Sequence, residues 1–251
     1  MKTLTAIIVS GIFALSATAC TCNSGLFGGK TVKASRNYVT KNIKVDNFTG
    51  LNLAGSPNVT YTQKAGKPEV EVYTSDNIVD LLDINVVNNT LNIKFKKGVS
   101  VSYNKLEIRV SSETLNNISV AGSGNVELAN GLKTDHLKVS VAGSGDIEAY
   151  ALKGNRDRTV DDASAVGKVA GNNNVYEAGS GDIEGSNITC TNLTASIAGS
   201  GDLKLDNVSA ANTEASVAGS GTAVLTGTSQ EADYRVAGSG DLFASDLQAK
   251  R

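Results

Sequence analysis

The chain has 251 residues, with 26 Gly, 2 Pro, no Trp and a formal net charge of −2. The charge is unevenly spread: residues 1–120 carry 13 Lys and Arg against 8 Asp and Glu, or +5, and residues 121–251 carry 10 against 17, or −7. An acidic C-terminal half repels phosphates and argues against nucleic acid as a partner, while the length allows one large all-β domain or two smaller ones.

Met1 and Lys2 make a short basic start, followed by an apolar run over residues 3–17. The run is too short to span a bilayer, which takes about 20 apolar residues, but has the length of a signal h-region. It ends in Ala17-Thr18-Ala19-Cys20. Ala-x-Ala suits ordinary signal peptidase, and small residues directly before Cys resemble a bacterial lipobox, although Ala17 stands where a lipobox more often has Leu. The reading preferred is a signal peptide over 1–19 with lipid attachment at Cys20, which would tie the protein to the membrane through its acyl chains. Residues 20–35, rich in Gly, Ser, Thr and Asn, read as a flexible tether. Cys22 and Cys190 then remain, either as a disulfide in an oxidising compartment or, the preferred reading, as an incidental Cys22 and a free, buried Cys190. Neither arrangement has metal-site spacing.

Residues 36–118 read as a strand-rich half. Apolar and polar residues alternate at 42–45, 51–53, 58–61, 70–73, 84–86, 91–95 and 106–110, which puts one face of each strand in a core and the other in water. Turns fall at Asn88-Asn89-Thr90 and at 64–68. A short helix fits Asp76–Leu82 behind a Ser75 or Asp76 cap. Lys94, Lys96 and Lys97 form a small basic patch, read as solubilising charge at a strand end. The stretch 53–59 looks like a degenerate copy of the phrase that dominates the rest of the chain.

That phrase is Ala-Gly-Ser-Gly, usually with an apolar residue before it and Asp after it. It begins at Ala121, Ala142, Ala178, Ala198, Ala218 and Ala237, with successive starts 21, 36, 20, 20 and 19 residues apart. A period near twenty marks a solenoid in which each repeat is one coil. Within a unit, Leu193, Ala195 and Ile197 share a face before the corner and Leu203 and Leu205 share one after it. The same register places Leu137, Val139 and Val141 before Gly143 with Ile147 after it, and Ala215 and Val217 before Gly219 with Val224 after it. Gly-x-Gly supplies the sharp corner, and a second corner falls near Gly131, Asp206-Asn207 or Gly227. The expected fold is therefore all-β: a β-solenoid resembling a right-handed parallel β-helix over 119–251, about 20 residues per coil, with two short strands in each coil. The charged stretch 155–165 reads as a loop ejected from one coil.

The Asp after each corner (Asp146, Asp182, Asp202 and Asp241) is the sharpest chemical candidate, a ladder of one carboxylate per coil. Adjacent carboxylates about 5 Å apart repel by roughly 0.8 kcal/mol in water, which a cation would relieve. The preferred reading is an Asp that accepts hydrogen bonds from turn N–H groups, with no metal and no cofactor. Gly-Ser-Gly-Asp lacks the Lys-Ser/Thr and helix start of a phosphate loop. His136 is the one histidine, leaving a nucleophile a single candidate base. A polysaccharide-acting enzyme would need carboxylates converging near Arg156 or Arg235. Tyr61, Tyr73 and Phe95 are candidate ligand contacts if the strand-rich half holds a pocket, and exposed Tyr150, Tyr176, Tyr234 or Phe243 could serve a glycan.

Taken together, the lipoprotein-like start, the strand-rich lead-in and the recurring Ser140-Val141-Ala142-Gly143-Ser144-Gly145-Asp146-Ile147 resemble the autotransporter-adhesin "head GIN domain" family, itself catalogued as a domain of unknown function. The similarity covers residues 40–245, and the 36-residue step departs from it. The resemblance implies a β-helix-like fold and an export route in Gram-negative bacteria, with no catalytic residues to carry over. The expected function is a non-enzymatic, lipid-anchored adhesin or cell-envelope scaffold of the outer membrane, on the cell surface or the periplasmic face. It would have a glycan or protein surface partner and a possible oligomeric state. The alternative is a periplasmic binder of a small lipid or glycan.

Overall fold

Period-two alternation of apolar and polar residues makes strands of most of the described residues, and the computed structural model describes residues 31–134, 136–149, 172–244 and 247–249. In the first half lie β1 (Thr31–Lys33), β2 (Tyr38–Ile43), β3 (Gly50–Gly55), β4 (Asn58–Gln63), β5 (Glu69–Ser75), the four-residue helix α1 (Asp76–Val79), β6 (Leu82–Val87), β7 (Thr90–Phe95), β8 (Ser100–Ser102) and β9 (Leu106–Ser112). Then follow β10 (Asn117–Gly122), β11 (Val126–Leu128), β12 (Leu137–Gly143), β13 (Ile147–Ala149), β14 (Asn172–Glu177), β15 (Ile183–Ser186), β16 (Thr189–Ile197), β17 (Leu203–Gly219), β18 (Thr222–Gly238), β19 (Asp241–Phe243) and β20 (Leu247–Ala249). The fold is all-β, and all strands but β1 and β8 belong to one hydrogen-bonded network.

Two long parallel ladders meet at the Gly-Ser-Gly corners. Before the corner the order is β7–β3–β10–β12–β14–β16–β17–β18. After it the order is β9–β4–β11–β13–β15–β17–β18–β19. A shorter third ladder joins parts of β16, β17, β18 and β20, so the later repeats pair along three segments where the sequence suggested two. Val120 lies beside Val141 and Ala195 beside Ala215, while Val141 meets Glu177 across the long step. Asn187, Asn207 and Gly227, all at positive φ, mark the second corner.

The stacking order departs from the sequence order. The degenerate phrase at 53–59 is a true member of the stack, with Gly55 beside Gly122 and Val59 beside Val126. Its other side is covered by β7 and β9, which come later in the chain. The first repeat is therefore held between two segments that follow it. Antiparallel strands finish this end: β6 on β7, β5 on β9 and β2 on β5. Asn88 and Asn89, both at positive φ, make the two-residue turn between β6 and β7.

Inward side chains form columns. Leu53, Val120, Val141, Ile197 and Val217 are each at most 1 % exposed, and Ile147, Ile183, Leu203 and Ala223 line the other ladder. Each larger aliphatic contributes about 1.5–3 kcal/mol by leaving water, and no single repeat could bury its face alone.

Three details differ from the sequence reading. Ala223, not Val224, continues the inward column, because Ala223 pairs with Leu203. The helix ends at Val79 because Leu82 already enters β6, and the Ser75 hydroxyl caps nothing, donating instead to the Ser35 carbonyl at 2.8 Å. The end of the expected tether is tied down: β1 pairs with β8, and Ser35 donates its backbone N–H to Asn77.

Conformation alone does not explain the corners. Gly219 does sit at φ +150°, but the second glycine of each corner faces a tighter demand. A Cβ on Gly201 would lie 2.0 Å from the carbonyl oxygen of Gly181 one repeat below. Gly201→Ala is therefore expected to destabilise the fold by about 3 kcal/mol. Gly66→Ala, where nothing lies within 4 Å, should cost only the about 1–2 kcal/mol of a left-handed backbone. Paired denaturation curves check the contrast.

Candidate functional site

The residue after each corner points outward and builds a continuous polar column. Its side chain accepts from the backbone N–H of the equivalent residue one repeat further along. The Asn125 N–H donates to Asn58 Oδ1 at 3.0 Å, that of Asp146 to Asn125 Oδ1 at 3.1 Å, that of Asp182 to Asp146 Oδ1 at 3.1 Å, that of Asp202 to Asp182 Oδ1 at 2.9 Å and that of Thr222 to Asp202 Oδ1 at 2.9 Å. The donors thus belong to the neighbouring repeat, not to the Asp's own turn. Asp241 stands outside this column of bonds, its N–H donating to the Gly221 carbonyl at 3.2 Å.

Two residues further on, Glu127, Glu148 and Glu184 stack in register, followed by Lys204. Lys204 pairs with Asp206 at 3.2 Å. Burial pushes the Glu148 carboxyl above the usual carboxylate range, and the charges of Glu184, Asp146 and Glu127 push it the same way. The result is an acidic stripe on the outer face of the second ladder, with a groove of about 230 Å³ along Asp182, Glu184, Asp202, Lys204 and Thr222. Among the described residues no three carboxylates, histidines or cysteines are grouped to hold a metal ion.

The aromatic candidates are not brought together. Tyr61 is fully buried and its hydroxyl lies 3.0 Å from Ser112 Oγ, within reach of the Ser112 carbonyl as well. It is a core residue that offers no surface to a ligand, which corrects the sequence reading. Tyr73 stacks on Tyr38 with ring centroids 5.7 Å apart, and Phe95 packs beside Tyr103. The strand-rich half does carry a cleft, of about 650 Å³, but Ile43, Val70, Val110, Lys44, Lys64 and Arg109 are among its walls and none of the three aromatics is. Arg109 is held by Glu71 at 2.8 Å and Lys64 by Glu69 at 3.2 Å.

Other singled-out residues are dispersed. His136 is exposed just before β12. Cys190 is a buried free thiol pushed up to about 11 by burial, so it is unreactive at neutral pH. Lys94 reaches Asp83 at 3.5 Å. Tyr176, Tyr234 and Phe243 are exposed at separate points of the stack. Cys20, Cys22, Tyr150, Arg156 and the loop 155–165 lie outside the described residues.

One residue of the interior escaped the sequence reading. Glu177 occupies the column otherwise filled by Val120, Val141, Ile197 and Val217, and it is 1 % exposed. Its carboxylate lies under the corner against Gly201 and faces the N–H groups of Gly179 and Gly181, yet neither oxygen closes a hydrogen bond of ordinary geometry. Burial, then the charge of Asp182, holds its carboxyl above the usual range. The available signal was the one acidic residue standing directly before an Ala-Gly-Ser-Gly phrase.

A raised folded-state carboxyl stabilises below its unfolded pKa and loses that contribution as pH rises through the folded one. Glu177→Gln should therefore be close to wild type in acid and about 1–3 kcal/mol more stable at pH 8. Urea titrations across pH check this. For the outer column, Asp202→Asn keeps an acceptor for the Thr222 N–H and should change stability little. Asp202→Ala should cost about 1 kcal/mol. A large calcium-dependent stabilisation lost in Asp202→Asn would instead make the column a cation site.

Among curated proteins, none matches the chain. Among solved structures, it is similar to a putative adhesin of Bacteroides fragilis, at 25 % identity and TM-score 0.67 over 85 % of this chain and 99 % of that one. It is also similar in fold to a putative lipid binding protein of Parabacteroides distasonis, at 21 % identity and TM-score 0.63 over 86 % and 99 % of the two chains. A putative adhesin of the same organism shares the fold at 18 % identity and TM-score 0.65, over 86 % and 100 %. Residues 47–205 and 173–251 match the family described as "putative auto-transporter adhesin, head GIN domain". The repeated corner phrase, the all-β stack and this match over most of its length make the chain a member of that head GIN domain family.

Proposed function

We propose that the protein is an exported, lipid-anchored β-solenoid that serves as an adhesin-like scaffold of the cell envelope and carries out no catalysis. Parallel registers with a step of about twenty residues support the solenoid reading. The observation that carries the function is the outer acidic stripe. It is repetitive, and it is built so that the carboxylates of Asp146, Asp182 and Asp202 are each fixed by a backbone N–H of the next repeat. A surface of that kind presents several equivalent weak contacts to a repetitive partner, and their joint engagement multiplies affinity. Its charge fits a cationic protein face or a polymer bearing amino groups. Anchoring at Cys20 would hold the base of the stack at the membrane and leave the repeats to project from it.

A second reading rests on the cleft beside Lys44, Lys64 and Arg109. Its walls of Ile43, Val70 and Val110 below a rim where Lys64 and Arg109 are paired with Glu69 and Glu71 suit a small amphiphile, and one neighbour in fold is named a lipid binding protein. In that case the protein would act as a ligand binder in the periplasm.

Protease treatment of intact cells, with Cys20→Ser as the anchoring control, separates the two. Cleavage on whole cells, lost from the cell fraction in Cys20→Ser, is the expected result. Protection until the outer membrane is opened would overturn surface display and favour the cleft.

A further inference from the structure

The two ends of the stack are finished differently. Antiparallel strands cover the end formed by β7 and β9. At the other end, the second half of β18 pairs with β17 on one side, while β19 and β20 pair only with Thr222–Val224 and Gly227–Ser229. Among the described residues nothing pairs with the other edge of 231–238.

That edge is an uncovered slice of core. Ala232, Tyr234 and Val236 continue the inward columns of Thr213, Ala215 and Val217, which are 1–3 % exposed. Tyr234 is 38 % and Val236 50 % exposed. The hydrogen-bonding groups face the same way. Lower in the stack the carbonyls of Val141 and Glu177 accept from Ala178 and Ala198 of the next repeat. In a parallel strand the N–H and C=O of a residue point to one side, so Ala232, Tyr234 and Val236 present theirs to the free edge.

We infer that this edge is a self-association surface, at which a second copy of the chain adds antiparallel through 231–237 about a two-fold axis at Tyr234. The sequence around that point is self-complementary. Centred on Tyr234, the pairing sets Asp233 against the other copy's Arg235 on the outer face, and does so twice. On the inner face it sets Ala232 against Val236 on either side of a central pair of Tyr234 rings, and the two open cores abut. Edge strands are often protected by charged side chains, Lys above all, and a charge of one sign repels a copy of itself. Here Glu231, Asp233 and Arg235 bring both signs to the edge, and the intrachain Asp233–Arg235 pair becomes one half of a four-charge cluster. An isologous contact of this kind closes at two copies.

The test is sedimentation equilibrium on the full chain carrying Cys20→Ser, so that no acyl chain contributes. The mass should move from one chain toward two as concentration rises. Asp233→Arg and Arg235→Asp should each weaken self-association at least about tenfold, because each sets like charges opposite one another. Mixing the two variants should restore a one-to-one heterodimer, because both contacts then join Arg to Asp. The rescue also shows that each variant is folded. A wild-type chain that stays monomeric at all concentrations overturns the inference. So does a dimer that ignores both substitutions, or variants that fail to pair when mixed.

Discussion

The structure depends on how closely one repeat can approach the next at its corner. The second glycine of each corner leaves room for the carbonyl oxygen of the repeat beneath, about 2 Å from where a Cβ would stand. A side chain there would wedge two repeats apart. With the corners nested, the register on both sides is fixed, and a shift by one residue would turn every buried aliphatic outward. The inward columns, the outer acidic stripe and the free edge all follow from that register.

Stacking identical positions has an electrostatic consequence. A side chain kept at a repeated position recurs directly above itself, so an acid kept there becomes a row of acids. The column after the corner meets this by giving each carboxylate a backbone N–H from its neighbour, a charge-assisted bond that offsets like-charge repulsion. Where Glu127, Glu148 and Glu184 stack two residues on, burial first and then the neighbouring carboxylates raise the Glu148 carboxyl. Lys204 then replaces Glu at the next level. Glu177 is a different case, a single acid in an inward column of aliphatics, where its oxygens close no ordinary hydrogen bond.

Much of this was legible in the residues. The corner phrase located six levels of the stack, and the alternation before it named Leu193, Ala195 and Ile197 as inward. What misled was parity and depth. From Thr222 to Leu225 the chain offers apolar side chains on both faces, so alternation alone could not choose between Ala223 and Val224. An inward tyrosine reads the same whether it fills a core or lines a cavity, and Tyr61 fills one. The insertion of β3 between β7 and β10 was beyond reach for a different reason. Sequence periodicity reports which segments resemble one another, but not which of two resembling segments a third lies between. The acidic column was found by its spacing, whereas its donors, twenty or more residues away, could be assigned only once the register was known.

The placement of the strand-rich half bears on how the described stack is finished. A stack of parallel repeats has two open ends, and each exposes unpaired backbone groups and a section of core. At the first end the chain doubles back, so that β7 and β9 seal the first repeat from below and antiparallel strands seal them in turn. That closure needs a departure from strict repetition, and residues 64–112 supply it. At the other end Val236-Ala237-Gly238-Ser239-Gly240-Asp241 is a complete corner phrase with no level above it among the described residues. A repeat has no means of distinguishing a last level from an inner one, because its face is shaped to receive another of its kind. The departures from the consensus at that level are therefore informative. The inner levels carry Ala215 and Val217 over Ala195 and Ile197, but Tyr234 takes the place of a small inward residue, and Asp233 and Arg235 flank it with opposite charge. These substitutions suit a surface met by another strand better than one left in water.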